Sequence, residues 1–185
     1  MKANKFIYFF IFLLTLTFWI IPKGWAQPKP TTSPPVITHS FAVEKGYYGY
    51  IWKIYIDAED PDGDMFKIAS VVRQIGYGSY PADWIVIKPQ YRKHLKGYIQ
   101  WNTFSSKAPF LREWTNITLE VSIIDKAGNE SNVVLFPFEF VSGIKSPYLY
   151  KLTQPFDQGD LPKLGNIFID LFEPTLGDDG KFKDD

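Results

Sequence analysis

Tyr50-Ile-Trp-Lys-Ile-Tyr-Ile-Asp57, then Ala58-Glu-Asp-Pro-Asp-Gly-Asp64, then Met65-Phe-Lys-Ile-Ala-Ser-Val-Val-Arg73, is the stretch that decides the fold. Its flanks crowd apolar and aromatic residues, which suit a pleated strand. Its middle carries Glu59, Asp60, Asp62 and Asp64, with Asp57 just before. Pro61 presets φ and Gly63 is free to take a positive one, so the middle reads as a turn. The stretch is strand, acidic turn, strand.

Outward from it the same period continues. Strands are expected near residues 36–43, 48–57, 65–73, 83–88, 95–101, 116–125 and 132–141. Alternation is clearest in Leu95, Gly97, Ile99, Trp101 and in Ile117, Leu119, Val121, Ile123, while Val134, Phe136, Phe138 and Phe140 form another inward row. Pro137 lacks an N–H for a ladder, which points the last strand to an edge. Seven short strands with no helix among them indicate an all-β, immunoglobulin-like antiparallel sandwich over residues 36–143. The chain has no cysteine, so Trp52, Trp101 and the Phe rows must fill the volume a disulfide would otherwise cross.

The aromatic share of 18% favours strands over helices, and the formal charge of zero provides no basic field for nucleic acid. Lack of cysteine also excludes thiolate nucleophiles, Cys-based metal sites and lipid attachment through an N-terminal cysteine. With only His39 and His94, a multi-histidine metal site is excluded within one chain.

The ends read differently. Lys2 and Lys5 precede an uncharged run at 6–21, followed by small residues at Gly24 and Ala26. Residues 1–26 are therefore expected to be a signal peptide cut before Gln27, or otherwise a retained anchor, the only membrane contact expected. Three of the 20 basic residues lie there (Lys2, Lys5, Lys23), which leaves 17 against 20 acidic. Residues 27–35 contain four prolines and read as an extended linker. Residues 144–185 form an irregular C-terminal extension. Between Leu161 and Phe172 its apolar positions fit a short helix, yet Ile167, Ile169 and Leu171 fit a strand equally well. It is expected to fold back on the sandwich, to dock a partner, or to be disordered.

In such a sandwich the turn after Asp57 and the connection 125–131 emerge at one pole. Asp57, Glu59, Asp60, Asp62 and Asp64 would then face Asp125, Asn129 and Glu130 where the linker enters. Ca²⁺ takes six to eight oxygen ligands, and this set can supply them. The spacing is not that of an EF-hand, because glycine falls fourth, not sixth, in Asp60-Pro-Asp-Gly-Asp64. The same residues equally make an ordinary hydrogen-bonded turn.

Asp57-Ala-Glu-Asp-Pro-Asp-Gly-Asp64 resembles the corresponding turn of cadherin-like and related immunoglobulin-like repeats of bacterial exported proteins. Ile124-Asp-Lys-Ala-Gly-Asn129 resembles another turn of that group. The likeness spans roughly residues 34–141 and rests on these two short motifs. It implies a non-enzymatic spacer, adhesion module or accessory domain, some of which bind calcium between repeats. This chain shows one repeat, and residues 144–185 match nothing in the pattern.

The aromatic loop Gly76-Tyr-Gly-Ser-Tyr-Pro-Ala-Asp-Trp84 is a candidate platform for sugar rings, although most rings of a small sandwich are buried. Catalysis is not expected. The acids lack a cleft, and His39 and His94 lack a nucleophile. The basic group Arg92, Lys93 and Lys96 reads as a solvated face. The chain is thus read as an exported, non-enzymatic binding or structural module of the bacterial cell envelope, periplasmic, cell-surface or secreted, with calcium as its candidate ligand. The alternative is a carbohydrate-binding accessory module. Its partners would be an envelope protein or polysaccharide, one added at the edge strand 132–141 among them.

Overall fold

In the computed structural model the chain is described at residues 33–108, 115–141 and 151–173. The expected signal peptide, residues 1–26, and most of the expected proline linker lie outside these residues. No helix among the described residues is long and apolar enough to cross a membrane.

The acidic stretch forms two strands that belong to different sheets. Strand β3 (Ile51–Glu59) enters the turn and β4 (Met65–Gln74) leaves it. The turn therefore carries the chain from one sheet to the other. One sheet has the order β1 (Val36–Ala42), β3, β7 (His94–Asn102), β10 (Lys163–Ile167). The other has β2 (Lys45–Gly46), β9 (Val134–Phe140), β8 (Asn116–Asp125), β4, β5 (Gly78–Ser79), with β6 (Asp83–Val86) also on β4. A 3-10 turn, Pro89–Tyr91, precedes β7. The fold is the expected immunoglobulin-like sandwich, and the seven expected strands are β1, β3, β4, β6, β7, β8 and β9.

The expected inward rows are buried in one core. Trp52 packs against Trp101 at 6.1 Å and against Phe138 at 4.5 Å, bridging the sheets where no disulfide exists.

The sheets are mixed, not purely antiparallel, for two reasons. After Ala42 the first strand leaves its sheet and continues as β2, which meets β9 in parallel. β9 is therefore not the edge strand expected from Pro137: β2 pairs with it at Glu139 and Phe140, with the Glu139 and Val141 N–H groups donating to the Glu44 and Gly46 carbonyls, and Pro137 falls outside that short paired stretch. The second reason is β10, which runs parallel to β7. Two glycines admit it: a Cβ at Gly97 would lie 2.5 Å from the Pro162 carbonyl, and one at Gly165 would lie 2.4 Å from Ile85. The free edge of β7 offers N–H groups, and Tyr98 donates to the Pro162 carbonyl at 3.0 Å. Edge pairing thus selects the strand over the helix. Ile167, Ile169 and Leu171 enter the core, while Phe168 between them points to solvent.

The described part of the extension therefore folds back on the sandwich. Before β10 it also covers the outer face of the β3–β7 sheet, where Phe156, fully buried, packs 5.7 Å from Tyr55.

Candidate functional site

The acidic pole is built from three segments. Asp60 is 1% exposed, and its two carboxylate oxygens accept from the N–H groups of Asp62 and Asp64, each at 3.0 Å. Gly63 closes the turn with φ of 71° and donates to the Asp60 carbonyl, while the aliphatic stem of Lys93 covers it. The Asp60 N–H donates to the Lys93 carbonyl and the Met65 N–H to the Arg92 carbonyl, which ties the turn to the start of β7. Lys126 N–H donates to the Asp64 carbonyl, which ties it to the β8–β9 connection.

That connection has its own staple. Asp125 is buried and accepts from the Asn129 N–H at 2.8 Å and from Asn129 Nδ2 at 2.7 Å. Asp62 accepts from the Ser33 N–H at 2.6 Å and so holds the described end of the linker. Glu130 accepts from Ser122 Oγ at 2.6 Å, outside the group around Asp60.

Asp64 is the exception in this pole. Its Oδ1 is buried and meets no hydrogen-bond donor among the described residues. Burial pushes its carboxyl above the usual range; the neighbouring Asp60 carboxylate, which accepts from the protonated form, and repulsion from Asp125, Asp60 and Asp62 push it further.

The structure thus brings Asp60, Asp62, Asp64, Asp125 and Asn129 together and leaves Asp57 and Glu59 apart. Those two lie on the outer face of β3. Asp57 sits 3.6 Å from Lys96 Nζ and 3.5 Å from His94 Nε2, and Glu59 sits 3.5 Å from His94 Nδ1. The cause is the strand period: Asp57 and Glu59 pair in register with Lys96 and His94 before the turn begins. Among the described residues no three Asp, Glu or His side chains converge in a metal-holding group.

The aromatic loop has a different employment from a free platform. Tyr77 stacks on Phe172 of the extension at 4.9 Å and 7°, and on Tyr80 at 4.6 Å. The Tyr80 hydroxyl donates to Gln74 Oε1 and accepts from the Phe172 N–H at 2.7 Å. Gln74 Nε2 donates back to the Phe172 carbonyl at 2.8 Å. Burial raises the Tyr80 phenol above its ordinary range, with the Phe172 N–H opposing in part. Trp84 remains exposed, its ring capped by Lys67 Nζ at 3.8 Å. Sequence reasoning did not assign Gln74 or Phe172 to this loop, because their meeting depends on the fold-back of the extension.

No protein-family model matches the chain, and no curated protein matches it. Among solved structures it is similar to the PKD domain of an M14-like peptidase from a Thermoplasmatales archaeon. That similarity has 15% identity over 60% of this chain and 98% of that one, with a TM-score of 0.38. The fold rests on the strand pairing.

Proposed function

We infer that this chain is an exported, non-enzymatic structural or binding module of the cell envelope. The observation that supports this reading is the employment of its suggestive side chains. Asp60 and Asp125 each staple their own turn, and Tyr77 and Tyr80 hold their loop to the extension, so the groups that resemble a site act as fasteners of a rigid frame. A frame whose loops are pinned at both poles suits display and spacing.

Residues 1–26 direct export in this proposal. Fractionation of cells expressing the full chain, with the intact mass of the recovered protein, tests it: recovery outside the cytoplasm with Gln27 as first residue is the expected result. Cytoplasmic recovery with residue 1 retained contradicts it.

Calcium belongs to the proposal in a limited form. Oxygens of Asp60, Asp62 and Asp125 already accept N–H groups, so the fit to a cation is partial and centres on Asp64. A bound Ca²⁺ would supply positive charge among these carboxylates, the same relief that a proton on Asp64 supplies. Its effect would be on stability.

A further inference from the structure

At the end of the β3–β7 sheet remote from the acidic pole lies a half-open cleft of ≈ 360 Å³. It sits between the last residues of β7 and the end of β10, and neither the fold nor the pole uses it. Ligand pockets begin at about 300 Å³, so the cleft has room for a small ligand or for one sugar unit of a longer chain.

Its lining divides into rings and polar groups. Phe168 is 80% exposed and Phe104 is 56% exposed, a poor placement for two phenyl rings that a sandwich of this size otherwise buries. Phe104 is held by its ring and Phe168 through its backbone. Phe104 packs 5.5 Å from Tyr48, whose hydroxyl donates to the Ala108 carbonyl and accepts from the Ser105 N–H. The Phe168 N–H donates to Asp83 Oδ2 at 2.8 Å. The backbone beneath Phe168 is further fixed by Trp101 Nε1, which donates to the Ile169 carbonyl at 3.0 Å.

Between the rings lie Gln100, Asn102, Asn166 and Asp170. Gln100 and Asn166 are register partners across β7 and β10, so their side chains emerge side by side on the outer face. Asn102 accepts from the Phe104 N–H through Oδ1. Among the described residues the side chains of Gln100, Asn166 and Asp170 make no hydrogen bond, in contrast to the carboxylates of Asp60 and Asp125.

We propose that this cleft, lined by Gln100, Asn102, Phe104, Asn166, Phe168 and Asp170, binds a neutral oligosaccharide. The proposal rests on the reading of the chain as a non-enzymatic envelope module and names the ligand class. A pyranose presents an apolar C–H face and a rim of hydroxyls, each both donor and acceptor. Phenyl rings match the first, and amide side chains, which carry both donor and acceptor, match the second. Asp170 accepts from hydroxyls but repels a sugar acid, which makes the class neutral. The Phe104 ring and the backbone that carries Phe168 are already positioned, which limits the ordering required of the protein on binding. The site differs from the loop Gly76–Trp84, whose Tyr77 and Tyr80 are engaged by Phe172.

The test is an amide NMR titration of the chain purified after export with cellohexaose, chitohexaose, laminarihexaose and mannohexaose. The expected result is shifts concentrated at residues 100–104 and 166–170 with at least one of the four. Phe168→Ala then weakens binding about tenfold, and Trp84→Ala leaves it unchanged. Because Phe168 is exposed, its variant keeps the wild-type spectrum elsewhere, and Asn166→Ala gives an independent second loss. Shifts centred on Tyr77 and Trp84, or no shifts with any of the four sugars, overturn the proposal. Shortened sugar products would instead overturn the non-enzymatic reading while leaving the site standing, and cytoplasmic recovery would do the same to export alone.

Discussion

The two ends of strand β3 invert what their residue types suggest. At the Glu59 end carboxylates gather, yet nearly every one of them is committed to backbone N–H groups or to a basic neighbour. Eight residues away, roughly 26 Å at the rise of a strand, the Ile51 end faces amides and two exposed rings with few internal obligations. Residue chemistry alone points to the first end as the site. Hydrogen-bond accounting points to the second, because a group already satisfied inside the fold has little left for a ligand.

The sharpest way to break this comparison is through the segment that shapes the second end. Leu171 is fully buried in the common core, so Leu171→Ala is expected to lower stability by about 2–5 kcal/mol in urea unfolding. A loss near zero would mean that the extension only rests on the sandwich. Next in size is Asp60→Ala, which removes the acceptor of two N–H groups in a half-exposed turn and is expected to cost about 1–2 kcal/mol by the same measurement. Asn166→Ala, at the other end, is expected to stay within about 0.5 kcal/mol of wild type. If Asn166→Ala costs as much as Asp60→Ala, the two ends do not differ in the way argued.

Most of the frame was legible in the sequence because it follows from period and punctuation. The inward rows Leu95–Trp101 and Ile117–Ile123 alternate cleanly, and Pro61 and Gly63 mark the turn. The parallel pairing of β10 was not legible. It depends on Gly97 and Gly165 as gaps through which two segments approach, and a glycine in a strand does not announce its partner. The pole was half legible: Asp60, Asp62, Asp64, Asp125 and Asn129 do meet. Asp57 and Glu59 were grouped with them by proximity in sequence, whereas the pleat assigns them to Lys96 and His94. The cleft was not legible at all, since Asn102, Phe104 and Phe168 read singly as ordinary surface or core residues and acquire meaning only when β10 lies beside β7.

Asp64 links the two accounts of the pole, as turn and as cation site. Folding raises its carboxyl above the ordinary value of 3.8, so the folded chain holds that proton more tightly than the unfolded one. By linkage this contribution favours folding at low pH and is lost as pH rises through the folded-state value. Asp64→Asn removes the charge and keeps a donor for Asp60. It is expected to raise the melting temperature at pH 7, with the gain shrinking to nothing as pH falls to about 3.8.

The most direct measurement is therefore thermal unfolding of the purified chain and its Asp64→Asn variant at pH 7, each in millimolar calcium and in a chelator. The account predicts that calcium raises the melting temperature of the wild type, that Asp64→Asn raises it without calcium, and that the two gains do not add. Coincident wild-type curves would remove calcium from the account. An Asp64→Asn variant less stable than wild type in chelator would contradict its central claim, that the carboxylates of this pole are held together by the fold at a cost in charge.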